Sequence, residues 1–264
     1  MSKWKGPYLA FSAAILAANV VVYVFKPGGD AVLAWASDLL PVACSLVAAA
    51  CLGLAAASFK TPDAVKAAWS LIFAGIALDF IAECIYAFIE LVLGREPSFP
   101  GPADVAWLAA YPFIIAFIAI ILAGYVRSGL PLGSWKRYAA LAAAVVAVGA
   151  AVPAWALVPI LSDGETGALE KFVSAFYPIA DFIVLIPAAA LILITLQFGS
   201  GSVVAPWLLI TLGFIGWCVS DLLYSVLSYA GLYDSGNFID LGWNASYLLF
   251  GAAGLAQRSL VKSI

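Results

Sequence analysis

Apolar residues fill the chain in long runs, and the polar positions that interrupt them recur at helical rather than alternating spacing. Eight runs, near 7–25, 31–58, 65–93, 103–126, 137–160, 169–198, 203–230 and 239–257, approach or exceed the roughly 20 helical residues that cross a hydrocarbon core. None shows the period of two that a membrane barrel requires, and lipid offers no partner for an unpaired backbone N–H or C=O, so each run is predicted as a helix. The expected fold is all-α: a polytopic membrane bundle of eight transmembrane helices.

Composition supports this class and excludes others. The 264 residues are 65% hydrophobic and only 10% charged, whereas a soluble domain carries about a quarter charged residues. The longest connection, near 161–170, is too short to fold by itself, and nothing supports a nucleic-acid partner; the lipid bilayer is the expected environment. The chain has no histidine, which excludes His-ligated zinc, His-held haem and Ser-His-Asp hydrolysis. Cys44, Cys51, Cys84 and Cys218 fall inside predicted helices and read as small packing residues rather than a disulfide framework. Lys3 and Lys5 before an apolar run admit a cleaved signal peptide, but the run is long for one and the helix pairing below needs it.

With alternating spans, one side of the membrane receives Lys3, Lys5, Lys60, Lys66, Arg127, Lys136, Arg137, Arg258 and Lys262, and the other only Lys26, Arg95 and Lys171. The positive-inside rule then places both termini in the cytoplasm of a multi-pass cell-membrane protein. The acids lean outward: apart from Asp63, every Asp and Glu is expected at the outer side or above mid-membrane.

A pattern recurs at an offset of about 137 residues. Asp104, Trp107 and Tyr111 in GPADVAWLAAYP are matched by Asp240, Trp243 and Tyr247 in FIDLGWNASYLL, and Trp69, Glu83 and Tyr86 by Trp207, Asp221 and Tyr224. We read a parallel duplication of a four-helix unit, residues 1–128 and 129–264, firmest for the third and fourth helices of each half. Helical spacing puts Asp79, Glu83, Tyr86 and Glu90 on one stripe, and Trp217, Asp221, Tyr224 and Ser228 on its counterpart. Tyr177 and Asp181 stand near the outer end of the sixth segment, and Asp38 at the start of the second. Pro41, Pro112 and Pro178, close to these groups, can free backbone carbonyls as additional ligands.

A carboxylate inside the membrane is costly unless it faces a wet cavity or the bundle interior. The expected site is therefore an outward-facing acidic cavity bounded by helices 2–4 and 6–8, with Asp79, Glu83, Asp104, Asp181, Asp221 and Asp240 ringed by Tyr86, Trp107, Tyr111, Tyr177, Tyr224, Trp243 and Tyr247. Glu83, Asp181 and Asp221 are the expected metal ligands, with oxygen-only ligation pointing to Ca2+ or Mg2+. Structural roles stand beside these. Asp104 and Asp240 are placed to cap helices, Trp107 and Trp243 to sit in an interfacial aromatic belt, and Glu83, Asp181 and Asp221 to tie helices together by buried hydrogen bonds.

PSFPGPADVAWLAAYP, FYPIADFIVL and SDLLYSVLSYAGLYDSGNFIDLGW resemble the membrane-embedded N-terminal sensor region of bacterial GGDEF and EAL signalling proteins, over roughly residues 65–255. The resemblance implies an integral-membrane input module. It marks Pro97, Ser98, Asp104, Tyr111, Pro112, Tyr177, Pro178, Asp181, Asp221, Tyr224, Asp240 and Trp243. The sequence departs from that pattern in reaching Ile264 without a cyclase or phosphodiesterase domain, so a cytoplasmic or membrane signalling partner is expected, or a function completed within the membrane. The expected function is a receptor or sensor-like module binding a cation or small cationic ligand, with no catalytic residue assigned. An intramembrane carboxylate- or metal-dependent lipid hydrolase and a cation-coupled transporter, with Asp79 as carrier, are the alternatives.

Overall fold

The computed structural model describes residues 4–129, 132–198 and 203–263, with the backbone alone at 148–156 and 198; Lys3 lies outside them. Each apolar run forms one helix: α1 (Lys5–Phe25), α2 (Gly29–Ala56), α3 (Ala64–Ala87), α4 (Pro102–Arg127), α5 (Trp135–Ser162), α6 (Ala168–Thr195), α7 (Ala205–Tyr229) and α8 (Asp240–Val261). A π turn, Phe88–Val92, prolongs α3, and a 3-10 turn, Leu196–Phe198, prolongs α6. Among the described residues, six of these helices, α1–α4, α6 and α7, are long and apolar enough to cross a membrane. The exceptions are α5, whose middle is described by backbone alone, and α8, whose apolar run is diluted by Asn244, Ser246, Gln257 and Arg258. Mid-helix side chains such as Leu46, Ile81, Ile183 and Val219 are about half exposed, an apolar outer surface that suits lipid better than water.

Local chemistry sets the helix ends. Asp63 accepts the Lys66 amide at 2.9 Å and the Thr61 hydroxyl at 2.9 Å, an N-cap that starts α3. At α4, Pro102 occupies the first turn and Asp104 reaches back to the Gly101 amide at 2.7 Å. At α8, Asp240 accepts the Gly236 amide at 2.9 Å. The link from α1 to α2 turns through Lys26, Gly28 and Gly29, all at positive φ, which the two glycines adopt without Cβ strain.

Six helices close a ring in the order α2, α3, α4, α6, α7, α8 and back to α2, while α1 packs outside on α2 and α8, and α5 outside on α6 and α7. Adding four to each label maps the pairs α2–α3, α3–α4, α2–α8 and α1–α2 onto α6–α7, α7–α8, α4–α6 and α5–α6. Trp69 and Trp207, at matching positions of α3 and α7, meet with ring centroids 6.0 Å apart, and Phe117, fully buried like Trp69, packs its ring against both.

Small residues let the helices approach closely. A Cβ on Gly254 of α8 would lie 2.7 Å from the Cys51 carbonyl oxygen of α2. Between α7 and α8, Gly216 faces Ser246 and Gly242 faces Ser220, two small-x-x-x-small pairs that interlock. Polar bonds hold α1 in place: Asn244 donates to Asn19 Oδ1 at 2.8 Å, Tyr8 to the Leu248 carbonyl at 2.7 Å, and the Trp4 indole to Ser259 at 2.7 Å. The first segment is thus an integrated member of the bundle, packed on α2 and α8.

Candidate functional site

The stripes on α3 and α7 turn inward beneath the loops that join α3 to α4 and α7 to α8. Between them lies a cavity of about 150 Å3, room for several waters or one small molecule. Its carboxylates come from five positions in the ring: Asp38 of α2, Asp79 and Glu83 of α3, Asp104 of α4, Asp221 of α7 and Asp240 of α8. Its aromatic wall includes Tyr86, Trp107, Tyr111, Tyr177, Tyr224, Trp243 and Tyr247, together with Trp217 and Tyr233. The loops supply Pro97, Ser98, Phe99 and Ser235, and no Lys or Arg is among the described lining residues. Below the cavity, the packing around Trp69 and Trp207 fills the rest of the bundle.

The carboxylates are held mainly by aromatic donors, several of them from other helices. Tyr247 of α8 donates to Glu83 Oε1 at 2.8 Å, and Trp107 also interacts with Glu83. The Trp243 indole donates to Asp221 Oδ1 at 2.6 Å. Tyr111 of α4 donates to Asp181 Oδ1 of α6 at 2.7 Å, and Tyr177 of α6 donates to Asp104 Oδ1 at 2.7 Å. Tyr233 donates to Asp240 Oδ1 at 3.1 Å. Burial, and then the adjacent Asp240, pushes the loop Tyr233 hydroxyl well above its ordinary pKa, so it remains a donor at neutral pH. The matched ring pairs Tyr86–Trp107 and Tyr224–Trp243 have centroids 6.1 and 5.8 Å apart.

Some expectations change at this point. Asp181, expected in the cavity wall, is not among its lining residues; it is buried behind Tyr111, where its carboxyl contacts that of Asp221. Glu83, Asp181 and Asp221 do not form the expected metal site: no three acidic or Cys groups among the described residues converge closely enough to hold an ion. Each of these acids is instead engaged by an aromatic donor, Glu83 by Tyr247, Asp181 by Tyr111 and Asp221 by Trp243, and only Asp181 and Asp221 are in contact with each other. Asp38, expected at the start of the second helix, lies well inside α2. Of the three prolines, Pro41 reaches the cavity and Pro112 and Pro178 do not.

The structural roles prove compatible with lining the cavity. Asp104 and Asp240 bind the amides of Gly101 and Gly236 and also contribute to the wall. Trp243 is turned inward onto Asp221 rather than outward as a belt residue. Tyr233 and Ser235 escaped the sequence reading, and Trp217, placed there on the α7 stripe, was not assigned to the site; the only signal for Tyr233 was an aromatic residue in a Gly-rich loop shortly before Asp240.

Among the described residues, three carboxylate oxygens are buried with no hydrogen-bond donor: Asp38 Oδ2, Asp79 Oδ2 and Asp181 Oδ2. Asp79 and Asp38 are only 2% and 4% exposed, and both line the cavity. Buried acceptors without donors are rare and costly, and these two oxygens have almost no accessible surface of their own although their residues line the cavity. Comparison with family models, curated proteins and solved structures returns no match.

Proposed function

We propose that the chain is an integral-membrane receptor-like module with eight spans and both termini in the cytoplasm, formed by two related halves, which admits a small organic cation to the cavity from outside. The observation that carries this reading is a cavity with six carboxylates and no cationic residue in its described wall. Its Tyr and Trp faces add cation–π attraction, worth about 2 kcal/mol when desolvated. The sensor-region motifs support the same reading, because Pro97, Ser98, Asp104, Tyr111, Tyr177, Asp221, Tyr224, Asp240 and Trp243 all line this cavity. An organic cation suits the site better than a metal ion, since the acids surround the space without converging on one point.

The test is thermal unfolding of the purified chain in detergent with n-butylammonium or choline. Either cation should raise the midpoint, as any ligand of the folded state does, and Glu83→Gln or Asp221→Asn should remove the shift. No shift with any amine, or an undiminished shift in both variants, contradicts the reading.

A further inference from the structure

Where α7, α8 and the loop between them meet the cavity, aromatic rings stand at steep angles to one another. Tyr224 of α7 meets Tyr233 of the loop and Trp243 of α8 with centroids 4.8 and 5.8 Å apart and planes at 80° and 63°, and Tyr233 meets Trp243 at 6.5 Å and 82°. Phe99, from the α3–α4 loop, stands edge to face with Tyr224 at 5.9 Å and 72°. All four line the cavity, and all four keep accessible surface, whereas Tyr111 and Tyr247 of the same wall are buried. The matched pair Tyr86 and Trp107 meets at 6.1 Å and only 48°. It also lacks the loop ring: Tyr233 stands seven residues before Asp240, and the corresponding position before Asp104 is Pro97.

Planes this steep to one another meet like the walls at the corner of a box, an arrangement whose ring faces attract a cation without any hydrogen bond. The carboxylates bonded to these rings supply charge more than free acceptors. Asp221 already accepts the Trp243 indole at 2.6 Å, and Asp240 accepts the Tyr233 hydroxyl at 3.1 Å and the Gly236 amide at 2.9 Å. A primary ammonium group stripped of water needs an acceptor for every one of its N–H bonds, and leaving them unmet is costly. A trimethylammonium group has no N–H to satisfy and presents charged methyl surface to the rings. We propose that Tyr224, Tyr233, Trp243 and Phe99 form an aromatic cage for a methylated ammonium head, with Asp221 and Asp240 beside it as counter-charges. This rests on the cation-binding reading above and narrows its ligand class.

The experiment is titration of the purified chain in detergent with choline, with ethanolamine, and with the uncharged carbon analogue of choline in which a tert-butyl group replaces trimethylammonium. Choline should bind at least about tenfold more tightly than either, the equivalent of cation–π attraction at a desolvated site. Tyr233→Leu and Phe99→Leu, each removing one ring and each checked for folding by its melting curve without ligand, should cut the preference for choline over ethanolamine several-fold. Tyr233→Phe, which loses the bond to Asp240 but keeps the ring, should retain that preference. Equal affinity for choline and ethanolamine overturns the cage and leaves the cation reading standing. A preference that survives both Leu variants undiminished, or that falls as far in Tyr233→Phe as in Tyr233→Leu, also overturns it, since the rings then do not hold the head. No binding of either cation, or equal binding of choline and its uncharged analogue, defeats both the inference and the reading it rests on.

Discussion

Tyr111 and Tyr247 occupy matching positions on α4 and α8, and each donates its hydroxyl to a carboxylate across a helix boundary. Their removal should not have equal consequences. Glu83 retains Trp107 when Tyr247 is lost, whereas Asp181 loses its one aromatic donor with Tyr111 and already has Oδ2 unpartnered. A buried carboxyl deprived of its donor costs about 1–3 kcal/mol. Tyr111→Phe should therefore lower the melting midpoint in detergent measurably more than Tyr247→Phe; an equal or reversed order would show that these bonds do not support the site as described. The acids and aromatics were legible in the sequence because residues so costly in lipid stand out against an apolar background, and their spacing placed them on shared faces. Which partner each acid takes was not legible. Tyr111 with Asp181 and Tyr247 with Glu83 are separated by 70 and 164 residues, and such pairings follow from the order of helices around the ring, which local periodicity does not encode.

At the level of elements, the eight helices and their boundaries were readable to within a few residues, since long apolar runs without alternation have helix as their default. The register of one helix against the next depends on small residues whose role emerges only from packing. Gly254 seats α8 directly on the backbone of α2, and a larger side chain there has no flexible neighbour to displace. Gly254→Val should destabilise the bundle by about 1–3 kcal/mol, the usual range for overpacking, while the same change at Gly124, which has open space around it, should cost much less. Similar melting points for the two variants would contradict the close α2–α8 approach. The α3 cap makes a prediction in pH. Backbone and Thr61 hydrogen bonds hold the exposed Asp63 carboxyl below its ordinary value, so its stabilisation is complete above the unfolded pKa of about 3.9 and is lost as pH falls through the lower folded value. Asp63→Ala should accordingly melt earlier than the parent at neutral pH, and the difference should vanish in strong acid; a gap that persists there would mean the cap acts by something other than its charge.

For the whole molecule, the account turns on how the two halves read from the motif repeat share one interior. The packing pairs that correspond under a shift of four helices bring Glu83 and Asp221 to the same cavity, and Trp69 and Trp207 into contact beneath it. Motif repetition suggested the two halves, but it could not reveal that matched Tyr residues would cross over, with Tyr247 of the second half holding Glu83 of the first. The most direct test is calorimetric titration of the purified chain with n-butylammonium, comparing the parent with Glu83→Gln and Asp221→Asn. One binding event per chain, weakened by both substitutions, is the predicted result. Two independent events per chain, or one that responds to only one of the two variants, would contradict a single site shared by both halves.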